Sequence, residues 1–426
     1  MKLIVTKLLK SCSVRIIRKY KPEIVGVTGS VGKTTTKHAM KVVLSGRFDV
    51  RVSEKSLNTE IGVPLTIIGS ESPGRNIFGW LAVFAKAFRL ILIKDRAYPK
   101  KVILEMGADK KGDIDYLCDI AQPTIGVITT VSEVHLHQFK NKEGVAREKQ
   151  RLVERLPRDG WALLNADSPR VLEMKEVTDA QVITYGFDDG ADVQAIDVSL
   201  RYKEGGTFYD RMNGIGFKVI YDGSATPVIL PKTVGFHHLY AALGAFGIGA
   251  VYGMNPLEIA ERFLKLEPGP GRLRLLKGKN NSVILDDSYN ASPIAVTKAL
   301  ETLCDLKDPK GNGHRRIAVL GDMLELGDVS EEAHAKIGEQ LAGLPIDMLV
   351  AIGDEAAYIK KSAEKFGLSN ECTKHFSSAK EAAEYLKDQI QEEDIILVKG
   401  SRGMKLEKLV EKIIDEPHRS KELLVS

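Results

Sequence analysis

Apolar positions in this 426-residue chain fall into short unbroken runs separated by stretches of helical spacing. Ile24-Val25-Gly26-Val27, Val102 to Glu105, Thr124 to Thr130 and Trp161 to Asn165 read as buried strands. A strand covered on both faces has no need of polar alternation. Between them, Thr35 to Leu44, Ile114 to Ala121 and Gly144 to Leu156 show helical periodicity. Strands alternating with helices predict a parallel sheet covered on both sides. Residues 181–232 differ, because Val, Ile, Tyr, Phe and Thr alternate with polar residues between Gly-rich turns. That pattern predicts several antiparallel strands. Leu239 to Tyr252 predicts a helix of small residues.

Glu267-Pro268-Gly269-Pro270-Gly271 marks a domain boundary. Beyond it the alternation restarts, with strand-like runs at Val283 to Asp286, Ile317 to Leu320, Met348 to Ile352 and Ile395 to Val398. The expected fold is α/β in two domains. A central domain, 23–270, holds a phosphate loop on a parallel sheet, and a Rossmann-like domain, 271–426, follows. Residues 1–22 form a basic helix ahead of them, and 70–100 an apolar and basic insertion.

Composition narrows the function classes. The apolar fraction of 43% and charged fraction of 28% are those of an ordinary soluble protein. A net charge of +4 gives no global case for binding nucleic acid. Cys12, Cys118, Cys304 and Cys372 stand singly, with no C-x-x-C pair, which argues against a zinc site or a disulfide framework and fits a reducing compartment. Leu3-Ile4-Val5 is broken by Lys7 and Lys10, so no signal peptide is expected and the chain is placed in the cytoplasm.

The strongest chemical signal is Thr28-Gly29-Ser30-Val31-Gly32-Lys33-Thr34-Thr35-Thr36, set between a strand and a helix. Glycines let backbone N–H groups point at phosphate oxygens, and the helix N-terminus adds positive potential. Lys33 would neutralise the terminal phosphates and Thr34 would offer its hydroxyl to Mg²⁺. The strict motif wants glycine at position 27, where this chain has Val27. Ligands of open α/β sheets bind beyond the carboxyl ends of strands. Glu105 ends one strand, His135 follows another, and Lys149 lies one helix later, so all three are candidates to face the loop.

At these residues the chain resembles the Mur ligase family, whose phosphate loop also lacks the first glycine. Ser56-Leu57-Asn58-Thr59-Glu60, Leu104-Glu105-Met106-Gly107-Ala108, Val134-His135-Leu136 and Ala146-Arg147-Glu148-Lys149 are similar to its next motifs. Pro270-Gly271-Arg272-Leu273, Asp286-Asp287-Ser288-Tyr289-Asn290 and Gly321-Asp322-Met323-Leu324-Glu325 follow in family order, as does Val398-Lys399-Gly400-Ser401-Arg402. The last three are most similar to the D-alanyl-D-alanine-adding member.

The resemblance implies an ATP- and Mg²⁺-dependent amide ligase of cell-wall precursor synthesis, joining D-Ala-D-Ala to a muramoyl tripeptide through an acyl phosphate. Thr28, Gly29, Ser30, Val31, Gly32, Lys33, Thr34, Thr35, Asn58, His237, Asp287 and Asn290 would then bind the nucleotide. Thr34, Glu105, His135 and Lys149 would serve the metals, with Lys149 carbamylated by CO₂. Arg272 would contact the γ-phosphate, and Asp322, Glu325 and Arg402 the incoming amine. ATP would bridge the two domains, so that closure assembles the site. After Gly235 the family's asparagines are replaced by His238 and Ala241, while His237 is retained. Family members also carry an N-terminal domain that grips the UDP-linked substrate; here about 22 residues precede the first core strand, so that domain is expected to be lacking.

Other readings stay open. A related ligase could act on a folate, a poly-amino-acid or a cofactor, and a non-catalytic subunit could keep the fold. A GTPase would want an Asn-Lys-x-Asp motif, whereas the nearest string is Asn141-Lys142-Glu143-Gly144. Residues 77–93 are apolar except for Gly79, Lys86 and Arg89. They are too short and too charged to span a bilayer. They suit a helix lying in a membrane surface, with Trp80, Phe84 and Phe88 towards lipid and the cations of residues 1–21 adding attraction. The alternative is a hairpin packed on its own core or on a second copy.

Overall fold

The computed structural model describes residues 2–131 and 142–425; His135 therefore lies outside the described residues. The chain forms two compact units. The first comprises Met1–Val198, Phe217–Ile229 and His237–Leu266, and the second Ser199–Gly216, Leu230–Phe236 and Glu267–Ser426.

In chain order the first elements are α1 (Lys2–Tyr20), β1 (Glu23–Thr28), α2 (Lys33–Leu44), β2 (Val50–Arg51), α3 (Gly62–Ile68) and α4 (Ile77–Leu92). Next come β3 (Lys101–Glu105), α5 (Asp113–Ile120), β4 (Ile125–Ile128), α6 (Lys142–Glu154), β5 (Trp161–Asn165) and β6 (Gln181–Gly186). Then follow β7 (Val193–Tyr202), β8 (Met212–Tyr221), β9 (Ser224–Leu230), α7 (His237–Val251) and α8 (Pro256–Phe263). The larger sheet has the order β2-β3-β1-β4-β5-β6-β7-β8-β9. Central β1 pairs in parallel with β3 and β4, placing Val27 opposite Glu105 and Thr28 opposite Ile128. This register sets the phosphate loop and Glu105 side by side at the carboxyl end of the sheet.

The expectation of antiparallel strands over 181–232 is corrected at β6 and at its junction with β7. β6 runs parallel to β5, and β7 meets β6 in parallel at Tyr185 and Gly186. The alternating pattern reads as antiparallel only when one strand face meets water. Here Tyr185 is fully buried and its hydroxyl donates to the Ile128 carbonyl at 2.9 Å, which ties β6 into the parallel core.

A second correction concerns α4. Val83, Ala87 and Leu90 are its buried face, and Trp80 and Phe84 pack half-buried against the core rather than facing outward. The Trp80 indole donates to Gly74 O at 3.1 Å, so its polar edge is already used within the protein. Among the described residues no helix is long and apolar enough to cross a membrane.

The second unit contains β10 (Arg274–Lys277), β11 (Val283–Asp287), α9 (Pro293–Asp305), β12 (Arg316–Gly321), α10 (Ser330–Ala342) and β13 (Met348–Ile352). It continues with α11 (Ala356–Lys365), β14 (Thr373–Phe376), α12 (Ala379–Leu386), β15 (Ile395–Lys399) and α13 (Glu407–Ile413). Its sheet has the order β10-β11-β15-β12-β13-β14, parallel except at the β10 edge. A buried pair, Arg211 with Asp308 at 2.7 Å, fastens residues 199–216 to the connection between α9 and β12. The Phe208 N–H adds a bond to Glu393 at 2.7 Å.

Candidate active site

The turn after β1 is shaped by its glycines. Gly29 has φ +148°, and a Cβ there would stand 1.9 Å from Thr129 Oγ1, so no other residue fits. Gly32, at φ +88°, leads into α2. The Ser30 N–H is bonded to Thr130 O at 2.7 Å, and Thr129 Oγ1 donates to Val31 O at 2.6 Å, so the two residues that follow β4 hold the loop. The Lys33 ammonium donates to Gly29 O at 2.7 Å and Ser30 O at 3.2 Å. It therefore lies inside the turn made by Thr28, Gly29, Ser30, Val31 and Gly32. Thr34 and Thr35 start the helix whose amides point into that turn.

Glu105 is only 2% exposed, at the end of β3. Its carboxylate gathers four donors. Thr34 Oγ1 bonds Oε2 at 3.0 Å, Ser56 Oγ bonds Oε1 at 2.6 Å, and Asn58 Nδ2 reaches Oε1 at 3.3 Å. The fourth is Lys37 Nζ, 3.3 Å from Oε2 and itself held by Ser53 Oγ and Lys55 O at 2.9 and 3.0 Å. Burial pushes the Glu105 carboxyl up, but the Lys37 ammonium, the Ser56 hydroxyl, the Lys33 ammonium and the Thr34 hydroxyl outweigh it and hold it below the ordinary range. A buried carboxylate and a threonine hydroxyl one hydrogen bond apart are a hard-oxygen donor set suited to Mg²⁺. A glycine turn running into a helix N-terminus beside them suits the phosphates of ATP.

Lys149 on α6 is 2% exposed. Its amine is pushed down to about 7, first by burial and then by the Lys33 ammonium, with Asp109 and Glu148 opposing. The neighbouring Glu148 accepts the N–H groups of Gly112 and Ile114 at 2.9 and 2.8 Å, which locks α6 to the start of α5. His237 opens α7, a helix packed against α2, and its ring lies 4.3 Å from that of His238.

The second unit assembles its own predicted residues. Gly271, at φ +66°, donates its N–H to Asp286, and the Leu273 N–H goes to Asp287 Oδ1 at 3.1 Å. The Arg272 guanidinium stacks on Tyr289, 4.2 Å from the ring centre. Lys399 at the end of β15 donates to Asp287 Oδ2 at 2.6 Å and Asn290 O at 2.9 Å. Asp322 follows β12 and takes the Ala356 N–H at 2.7 Å, while its carbonyl accepts the Ser401 N–H at 3.0 Å. Glu325 is exposed with φ +66°. Arg402 pairs with Glu407 at 2.9 Å.

Sequence reasoning thus brought Thr34, Asn58 and Glu105 together correctly. It assigned no role to Lys37, Ser56 or Lys399.

The family description "Mur ligase middle domain" matches residues 88–249, and "Mur ligase, glutamate ligase domain" matches residues 271–402. The UDP-N-acetylmuramoyl-tripeptide–D-alanyl-D-alanine ligase of Bacillus subtilis (strain 168) is 31% identical over 397 residues, covering 92% of this chain and 76% of that protein. The chain belongs to the Mur ligase family. Among solved Mur ligases, MurF from Acinetobacter baumannii aligns with a TM-score of 0.76 at 25% identity, covering 95% of this chain and 79% of that one. The MurF ligase of Thermotoga maritima, solved in complex with ADP, aligns with a TM-score of 0.75 at 24% identity and covers 98% of this chain and 84% of that one. That second likeness shows the shared Mur ligase fold.

Proposed function

We propose that this Mur ligase uses ATP and Mg²⁺ to join the amine of D-Ala-D-Ala to the terminal carboxylate of a UDP-muramoyl tripeptide, a step of peptidoglycan precursor synthesis. The observation that carries the reading is the glycine turn with Lys33, and Thr34 bonded to Glu105 beside it, in a chain 31% identical to a ligase of that name. A substrate carboxylate oxygen attacks the γ-phosphorus of ATP, and the bond to ADP breaks. The amine nitrogen then attacks the acyl carbon of the acyl phosphate, its proton is lost, and phosphate leaves.

The chain's own residues hold and orient these groups. Lys33 and the loop amides around Gly29, Ser30, Val31 and Gly32 stabilise charge on the transferring phosphoryl oxygens. Thr34 and Glu105 would hold Mg²⁺, with Asn58 fixing the carboxylate; the metal's chemistry is to neutralise charge as it develops on the phosphates. A Lys149 amine whose value is pushed down to about 7 is neutral in about half of the molecules near pH 7, and the neutral amine is a nucleophile for CO₂. The nitrogen lone pair bonds the CO₂ carbon, one C–O π pair moves onto oxygen and a proton leaves the nitrogen, so a buried neutral amine becomes a carbamate anion that would serve a second metal with His135. Arg272, Asp287, Asn290 and His237 complete the nucleotide contacts, while Asp322, Glu325 and Arg402 receive the dipeptide. The enzyme works in the cytoplasm, which suits its four free cysteines.

Phosphate release with carboxylates and amines varied in pairs tests this reading. Release should require ATP, Mg²⁺, the muramoyl tripeptide and D-Ala-D-Ala together. Lys33→Ala and Glu105→Ala should each lose at least about 100-fold in rate, the size of a strong electrostatic contribution. Full turnover in either variant, or a stronger response to folate with glutamate, would overturn the assignment.

A further inference from the structure

Helix α4 has an outer face as apolar as its inner one. Phe78, Leu81, Phe88 and Leu92 are 81, 60, 49 and 80% exposed. At roughly 100° per residue these four form one stripe about 80° wide. Ile77 and Ile93 extend it at both ends, 68 and 63% exposed. Such a stripe is unusual on a chain in water and marks an interaction surface.

The surroundings identify the occupant. No acid occurs between residues 72 and 94, nor in residues 1–22. Arg89, beside the stripe, keeps 69% of its side chain exposed although its guanidinium lies 3.9 Å from Asp95, and Lys94 and Arg96 flank that one acid, leaving the segment net positive. Helix α1 packs against α4 and exposes Lys7, Arg15 and Arg18 together with Ile4 and Leu8. An isologous contact between two copies would set these cations against one another. An anionic lipid surface complements both the charge and the apolar stripe.

The ends of α4 are prepared for such a medium. The Asn76 side chain accepts the Gly79 N–H at 3.2 Å. At the other end, Lys19 Nζ donates to Leu90 O and Ile91 O at 2.9 and 2.8 Å, and the Tyr20 hydroxyl lies 3.0 Å from Leu90 O and Ile93 O. Terminal carbonyls that water would otherwise satisfy are satisfied by α1, which an apolar layer demands.

We propose that the Phe78–Leu81–Phe88–Leu92 stripe, flanked by the exposed cations of α1 and α4, docks this protein on an anionic lipid surface with α4 lying in the interface plane. Flotation of the full chain tests it, with vesicles of phosphatidylcholine alone or with added phosphatidylglycerol, at low and high salt. The wild type should float with the anionic vesicles at low salt and should be released by salt. A variant with all four stripe residues changed to Ser, and a separate Arg15→Glu/Arg18→Glu/Arg89→Glu variant, should each float at least about tenfold less. Unchanged melting temperatures and ATP-dependent phosphate release in solution would show that both variants fold. The charge variant leaves the apolar face intact, so it keeps the test informative should the serine variant misfold. Wild type that stays unbound at low salt, or binds neutral and anionic vesicles equally, overturns the proposal. So does a wild type that self-associates in sedimentation and loses self-association with the four serines, because the stripe then belongs to a second copy. None of these readouts depends on which substrate the enzyme joins.

Discussion

A lysine amine that is buried and faces another lysine resists protonation, and Lys149 is in that position. Its folded value near 7 lies well below the 10.5 it has in an unfolded chain. Between those limits the unfolded state binds more protons, so this group adds stability as pH rises through the window and withdraws it as pH falls towards 7. The same shift sets the chemistry. At fixed dissolved ¹³CO₂, a carbamate carbon signal from Lys149 should already be present near pH 7, where ordinary lysines remain protonated, and should grow as pH rises. Lys149→Ala should lose the signal and the activity, and short carboxylic acids should restore part of the activity. A signal absent at every pH would remove carbamylation from the mechanism.

Arg402 is the second residue with a sharp expectation. Its ion pair with Glu407 at 2.9 Å sets where the guanidinium sits, and guanidinium forks bind carboxylates bidentately. Arg402→Ala should raise the apparent KM for the dipeptide far more than that for ATP, and equal effects on both would count against it. The residues legible in the sequence were those whose role is written in local spacing, namely the glycine turn, Thr34 and Glu105. Lys37 and Ser56 were not, because their meaning arises only when the ends of β1 and β3 meet and a distant loop closes over the carboxylate.

Among the elements, most strands and helices were readable because a parallel sheet buries both faces and leaves unbroken apolar runs. The limit shows at α4. It is apolar on nearly all sides, so periodicity could not tell Trp80 and Phe84, which pack inward, from Phe78 and Leu81, which face out. β6 failed differently, since alternation along one strand does not reveal the direction of its neighbour. At β11 the structure adds a pH dependence. Asp286 is fully buried, and burial raises its carboxyl to about 6 from 3.8 despite hydrogen bonds from Ser288 and Gly271. The folded state therefore holds that proton more tightly between about pH 4 and 6, and stability should decline as pH rises through this window. Asp286→Asn should abolish that decline, a change of up to about 3 kcal/mol at one pKa unit per 1.36 kcal/mol. Urea melts at three pH values would show it, and an unchanged slope would argue that Asp286 ionises normally.

Across the whole molecule, the two compact units each carry part of the predicted chemistry. The first holds the phosphate turn, Glu105 and Lys149, and the second holds Arg272, Asp287, Asn290, Asp322 and Arg402. Each unit has its own core, and the second has its own six-stranded sheet. Both strand–helix patterns were legible; the assignment of residues 199–216 to the second unit was not, because it depends on the Arg211–Asp308 pair across nearly 100 positions.

The four donors around Glu105 have a consequence for life under magnesium scarcity. With Lys37 supplying a resident positive charge, the carboxylate is already neutralised by the polypeptide itself. Folding then does not wait on mineral supply, unlike domains whose structural ions supply their folding energy. A chelator should silence turnover while shifting the melting temperature by no more than about 1 °C, and Lys37→Met should make that melting temperature depend on magnesium. The protein would outlast a famine of its own cofactor, intact and ready to resume work when the ion returns.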